Sequence, residues 1–210
     1  MATSGCPLCN GTQLCAVKHK LPLWHCLQCF LVFKDITLLP NPTAEKARYH
    51  QHQNSENNEG YVQFLNKAIT PALPYLKPHL KMLDFGCGPH PVLAEQLQRQ
   101  GFNCEAFDPF FFSKALTGPY DVIWSTEVLE HLHHPAKEIA RLYQLMSQNG
   151  LLVLMTELYE NLQQFEKWWY VNDQTHVVFY HIKTFDFIAK HWGFALRHSD
   201  QKRVLILQKN

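Results

Sequence analysis

The chain has 210 residues, room for one sizeable domain and a small appendage, and its 46% hydrophobic content excludes global disorder. A net charge of +1 argues against a partner held by bulk electrostatics and leaves room only for a local basic patch. No apolar run approaches the roughly 18–20 residues that span a bilayer, and Met1 to Cys6 has neither a basic nor an apolar leader, so a cytoplasmic, non-membrane protein is expected.

Four of the seven cysteines form two pairs, Cys6-Pro7-Leu8-Cys9 and Cys26-Leu27-Gln28-Cys29, with 16 residues between them. Two such pairs suit one tetrahedral zinc, because each closes a tight turn that aims two sulfurs at the same ion. Four sulfurs fill the coordination sphere, so the expected role is structural: zinc supplies folding energy that a segment this short cannot obtain from burial. Cys15 is left over, and Cys87 and Cys104 read as packed side chains. Leu39 to Thr43, rich in proline, marks a boundary. A polar stretch over 44–59 follows, then Tyr61, Phe64, Leu65, Ala68 and Ile69 at helical spacing, with Pro71, Pro74 and Pro78 near the end of that helix. The expected units are a four-cysteine zinc ribbon over 1–40, a helical lead-in over 41–78 and a main domain over 79–210.

Beyond Pro78 strands and helices alternate. Lys81 to Phe85 reads as a strand entering a glycine turn, Pro91 to Gln100 as a helix with Gly101 past its end, and Asn103 to Phe107 and Tyr120 to Ser125 as strands. Pro135 suits the first turn of a helix whose inner stripe is Ile139, Leu142, Tyr143 and Met146. Leu151 to Met155 and Val204 to Leu207 read as strands, separated by a helix that Thr184 caps and Gly193 stops. This alternation predicts an α/β fold with a mostly parallel sheet and helices on both faces.

The turn Asp84-Phe85-Gly86-Cys87-Gly88 lets backbone approach a ligand at a strand's carboxyl end. Pro91 stands where a dinucleotide site would carry its third glycine, which disfavours a pyrophosphate cradle. A carboxylate before the glycines suits a cationic amino-acid ligand. These residues resemble the first motif of the class I S-adenosylmethionine-dependent methyltransferases. Asp108, 20 residues beyond Gly88, matches the family's ribose-binding acid at the end of strand two. Asp121 to His131 resembles its fourth strand and cofactor segment. The cysteine pairs, Trp24 to Phe33 and Arg48 to Ser55 with Gly60-Tyr61 are similar to a bacterial subgroup with an N-terminal zinc ribbon and a lead-in helix near the cofactor.

The resemblance implies a Rossmann-like sheet and S-adenosylmethionine as cofactor. It implies cofactor contacts from Tyr61, Asp84, Phe85, Gly86, Cys87, Gly88, Asp108, Pro109, Thr126, Glu127, Val128 and His131. Only about a dozen residues separate Asp108 from Tyr120, so strand three is expected to be cut down, with Phe110 to Phe112 as an apolar wall or as plain core. On the substrate side, Asp173-Gln174-Thr175-His176-Val177 resembles the family's segment over the cofactor methyl. His176 is expected to act as general base or to orient the acceptor, with Asp173 and Tyr180 assisting; bracing of its own loop is the alternative. Trp168, Trp169 and Tyr170 offer stacking surfaces, core packing or a dimer contact. His131, His133 and His134 read as a solvated loop or a metal site, and His50 and His52 could reach the cavity. The expected reaction is methyl transfer to a small-molecule acceptor such as a sugar. The alternatives are RNA methylation with the ribbon gripping nucleic acid through Lys18, His19, Lys20 and Lys34, and a non-catalytic ribbon module on a degenerate fold.

Overall fold

A computed structural model describes residues 5–50 and 58–210; His52 lies outside the described residues. The first strands, β1 (Leu14–Val17), β2 (Leu23–Cys26) and β3 (Val32–Lys34), form an antiparallel meander. Each cysteine pair closes a turn beside it: the Asn10 amide donates to Cys6 O and the Phe30 amide to Cys26 O, both at 2.9 Å. Asn10 and Phe30, the residues just after each pair, both have left-handed φ, 58° and 61°. Asparagine tolerates that backbone; phenylalanine does so rarely. Phe30 is held there by the Tyr159 hydroxyl, which donates to its carbonyl at 2.5 Å, and by Lys183 over its ring at 4.8 Å.

Two helices lead to the main sheet. In α1 (Pro42–Tyr49) Pro42 occupies the first turn and the Asn41 side chain accepts from the Ala44 amide. In α2 (Glu59–Ala72) Pro71 falls in the last turn, where it does not break the helix earlier. The alternation then follows as β4 (Lys81–Phe85), α3 (Val92–Arg99), β5 (Asn103–Phe107), β6 (Tyr120–Thr126), α4 (Pro135–Leu145) and β7 (Met146–Met155). Next come β8 (Val178–Phe179), α5 (Ile182–Trp192), β9 (Phe194–Ser199) and β10 (Val204–Lys209). Six of these strands make one sheet in the order β5-β4-β6-β7-β10-β9, with the first four parallel and the last two antiparallel.

Side chains alternate across β6. Val122 and Trp124 pack with Leu65 and Ile69 of α2 and Leu93 and Leu97 of α3; Ile123 packs with Ile139 and Leu142 of α4 and Phe185 and Ile188 of α5. Between β5 and β6 the only pairing among the described residues is an isolated bridge from Asp108 to Phe112, so strand three is indeed missing from the sheet. Three details differ from the sequence reading. The cap of α5 is His181, whose Nδ1 accepts from the Lys183 amide, while Thr184 sits in its first turn and accepts from the His181 amide. The strand expected at Leu151 begins at Met146. The hairpin partner β9 carries too few inward residues to show alternation, having only Phe194 buried.

The ribbon sheet is completed from far along the chain: β3 pairs with β8, giving the order β1-β2-β3-β8. Cys6, Leu8, Leu31 and Phe33 lie in the same hydrophobic cluster as Leu129, Val177 and Tyr180. The ribbon is therefore packed against the loop that precedes α5. No helix among the described residues is long and apolar enough to cross a membrane.

Candidate active site

One cavity of about 590 Å³ opens at the carboxyl ends of β4, β5 and β6. Gly86 and Gly88 follow β4 with φ of 81° and 67°. A Cβ on Gly86 would lie 2.5 Å from the Val128 side chain, so this position combines a left-handed backbone with no room for a methyl. Gly88 meets nothing within 4 Å in that direction. The Gly86 and Cys87 amides both donate to Phe107 O, at 2.8 and 3.1 Å, which ties the turn to the end of β5.

Acidic groups surround this turn. Asp84 is buried, accepts from the Ala94 amide at 3.3 Å, and is pushed up to about 7 by burial, with Asp108 adding to the rise. Asp108 accepts from Gly88, Phe110 and Phe111 amides at 3.1, 2.8 and 3.2 Å, so the expected ribose-binding carboxylate also braces its own turn. Glu127 has a left-handed φ of 53°, and burial, then Glu130, raise its carboxyl well above the usual range. Its Oε1 is buried without a hydrogen-bond partner. Burial and the nearby Asp84 and Glu127 also raise the Tyr61 phenol. This is an apolar-walled site rich in carboxyl groups held back from ionising by burial, which a cationic ligand would favour in their charged form. All twelve residues expected to touch the cofactor, Tyr61, Asp84, Phe85, Gly86, Cys87, Gly88, Asp108, Pro109, Thr126, Glu127, Val128 and His131, line this cavity.

His176 lines it too, but its expected helpers do not. The His176 Nδ1 lies 2.8 Å from Tyr170 O; a carbonyl only accepts, so Nδ1 carries the hydrogen and Nε2 the lone pair. Burial holds this ring down at about 4, against partial support from Glu130, so it is neutral at neutral pH. Tyr180 must be corrected: it is fully buried and its hydroxyl donates to Leu129 O at 3.2 Å, a packing role away from the cavity. Asp173 is corrected as well. Its carboxylate takes Arg48 at 2.7 Å and Thr175 at 2.7 and 2.9 Å, and its carbonyl takes the buried Lys34 ammonium at 2.7 Å. Burial alone would raise this carboxyl, but the bonds from Arg48 and Thr175 outweigh it and hold it well below the usual range. Asp173 is a tie between ribbon, α1 and the His176 loop.

Sequence reasoning missed several lining groups. Glu45 and Tyr49 of α1 reach the cavity; Glu45 Oε1 lies 2.9 Å from His133 Nε2, and the Tyr49 ring meets His131 edge-on at 5.3 Å. The sequence signal was a buried acid on an otherwise exposed helix, which polar composition hides. Of the phenylalanine run, Phe110 lines the cavity, Phe111 packs against His50, and Phe112 is exposed, so neither a full wall nor a core is formed. Trp168 and Tyr170 are core, and Trp169 is 63% exposed; none lines the cavity.

The four ribbon sulfurs of Cys6, Cys9, Cys26 and Cys29 all lie within 4.8 Å of one another. Sulfurs of Cys6 and Cys29 are 3.4 Å apart and those of Cys9 and Cys26 3.5 Å. A tetrahedron with Zn–S of about 2.3 Å has edges of about 3.8 Å, so small outward shifts seat the ion. A Cβ on Gly11 would approach the Cys9 and Cys26 sulfurs at 3.1 and 3.5 Å, so glycine leaves the cradle clear. The bond from Cys29 holds the Cys6 thiol down at about 6 and keeps the Cys29 proton in place, while burial pushes Cys9 up to about 12. The donor set fits zinc, held by four thiolates with no open position.

A family model described as a methyltransferase domain matches residues 50–199. Similar solved structures include a SAM-dependent methyltransferase from Archaeoglobus fulgidus, 18% identical at a TM-score of 0.54, covering 70% of this chain and 94% of that one. The mitomycin 7-O-methyltransferase MmcR is 12% identical at 0.54, covering 82% and 59%. The CurJ carbon methyltransferase is 15% identical at 0.43, covering 80% and 58%. The chain thus spans little more than half of the latter two, and the two likenesses at 0.54 speak to the fold alone. No curated protein matches the chain in sequence.

Proposed function

The chain belongs to the methyltransferase-domain family, and on that premise we propose that its cavity binds S-adenosylmethionine and passes the methyl group to a small-molecule acceptor, such as a sugar. One observation carries this reading: the twelve expected cofactor residues and His176 share a single cavity, whose volume lies within the roughly 300–1,000 Å³ of small-ligand sites. Asp84 and Glu127 attract the cofactor's ammonium and sulfonium charges, Asp108 faces its ribose, and the glycine turn admits its backbone-side edge. Methyl transfer breaks the sulfonium C–S bond, forms a bond to the acceptor, and releases the neutral thioether; the acceptor's proton must leave. His176, neutral and with Nε2 carrying a lone pair, orients the acceptor or takes that proton.

Cys6, Cys9, Cys26 and Cys29 hold one structural zinc that folds the ribbon over 1–40, ahead of the lead-in over 41–78 and the domain over 79–210. A small acceptor is favoured over RNA because two of the ribbon's few cations already have acidic-segment partners. Lys18 pairs with Glu166 at 2.7 Å, and Lys34 is buried under Asp173. Calorimetric titration with S-adenosylhomocysteine, followed by transfer of labelled methyl to a panel of hydroxylated metabolites, tests the reading. Folded protein that does not bind S-adenosylhomocysteine sinks it. A His176→Gln variant with full turnover removes His176 from the acceptor's neighbourhood.

A further inference from the structure

Two histidines and a carboxylate converge beside the cavity. Glu130 and His131 sit on the 3-10 turn after β6, His176 on the loop before β8, and one ligand atom from each lies within 4.8 Å of the other two. Both histidines line the cavity. Their rings are oriented in the same way: His131 Nδ1 lies 3.0 Å from Thr175 O and His176 Nδ1 lies 2.8 Å from Tyr170 O. Both Nδ1 atoms therefore carry hydrogen and both Nε2 atoms are the lone-pair nitrogens. Backbone carbonyls on Nδ1 are the usual outer partners of metal-binding histidines.

Glu130 supplies an independent observation. Its side chain is fully buried, Oε1 takes the Tyr170 hydroxyl at 2.6 Å, and Oε2 has no hydrogen-bond partner. A buried carboxylate oxygen without a partner is costly, and a cation placed between it and two imidazoles removes that cost. We propose that Glu130, His131 and His176 bind a divalent transition-metal cation of the imidazole-preferring kind, with its open positions facing the cavity. Two imidazoles with one carboxylate favour zinc, cobalt or iron over magnesium or calcium. Three protein ligands leave positions for oxygen atoms, unlike the closed set of four cysteines. Resting on the reading of this region as the acceptor site, the inference makes the acceptor an oxygen chelator, with adjacent hydroxyls or a hydroxyl beside a carbonyl. Its hydroxyl, bound to the cation, is acidified and loses its proton to solvent before the methyl arrives. His176 then orients the acceptor through the cation.

The test uses the full chain with its ribbon saturated by zinc, titrated with cobalt(II) and followed by visible absorption. One further equivalent of cobalt is expected, with ligand-field bands of nitrogen and oxygen ligation and no thiolate charge-transfer band. That equivalent is lost in His176→Ala and in Glu130→Gln. Tyr170→Phe, which keeps all three ligands but removes the outer bond to Glu130, weakens it about 10–100-fold. Absence of the equivalent, or its survival at unchanged affinity in both ligand variants, overturns the inference. Circular dichroism of the same samples confirms folding, and S-adenosylhomocysteine titration separates the two readings. Cofactor binding without cobalt binding overturns the cation site alone; cobalt binding without cofactor binding supports the cation site and overturns the methyltransferase reading.

Discussion

The two ends of the cavity are built in opposite ways. At the proposed cofactor end, Asp84, Gly86, Gly88 and Asp108 belong to one strand-turn-helix-strand run, and backbone geometry does most of the shaping. At the proposed acceptor end, His176 comes from a loop held by Arg48 and Lys34 through Asp173, and Glu45 and Tyr49 of α1 line the same cavity. Lys34 and Asp173 are 139 residues apart in the chain. Local construction makes the first end independent of the ribbon; long-range construction makes the second depend on it.

Removing the zinc proposed for the ribbon is the hardest test of that contrast, since structural zinc contributes about 10–16 kcal/mol of apparent folding energy in small domains. Joint Cys9→Ser and Cys26→Ser replacement, which opens the four-cysteine site and leaves Glu130, His131 and His176 in place, is expected to abolish methyl transfer while S-adenosylhomocysteine affinity, read by calorimetry, stays within roughly tenfold, about 1.4 kcal/mol. Parallel loss of both would show that the two ends are one unit. Gly86→Ala strikes the other end. A left-handed alanine costs about 1–2 kcal/mol and the clash with Val128 about 1–3 more. Cofactor affinity is expected to fall about 100-fold with the ribbon's zinc content unchanged; an unaffected affinity would place the cofactor elsewhere.

The ends also differ in the sign of their pH dependence. Asp84 has its carboxyl raised from 3.8 to about 7, so its contribution to stability is complete below about 3.8 and is lost as pH rises through about 7. His176 is lowered from 6.5 to about 4, so stability is complete above 6.5 and is lost as pH falls towards about 4. In cofactor-free protein, chemical denaturation across this range should show Asp84→Asn flattening the decline on the neutral side and His176→Gln flattening it on the acid side. Either variant acting on the opposite limb would break the assignment. Arg48→Ala is the mildest change. Its side chain is 43% exposed, and such pairs are worth about 0.2–1 kcal/mol. The acceptor KM is expected to rise about two- to fivefold with cofactor affinity unchanged. An effect on the cofactor instead would mean that Asp173 braces the whole cavity.

The glycine turn, Asp108 and the strand-helix alternation were legible because each is written in a few consecutive residues: a positive φ demands glycine, and buried parallel strands demand apolar runs. The loss of strand three was legible from chain length alone. Asp173 and Tyr180 show where this kind of reading fails. Motif position placed both beside the reacting atoms, yet Asp173 is consumed by Arg48, Thr175 and Lys34, and Tyr180 by the Leu129 carbonyl. A side chain's partner depends on segments that arrive from elsewhere, and spacing carries no record of them.

By itself the sequence determined the glycine turn, the order of elements, and the four cysteines as one cluster, because those follow from local backbone and side-chain chemistry. Only the tertiary structure decided that β8 completes the ribbon sheet, that α1 covers the cavity, and that Glu130 meets His131 and His176. Those contacts join segments whose pairing is selected by burial and by satisfying buried polar groups, conditions that exist only once the chain has folded.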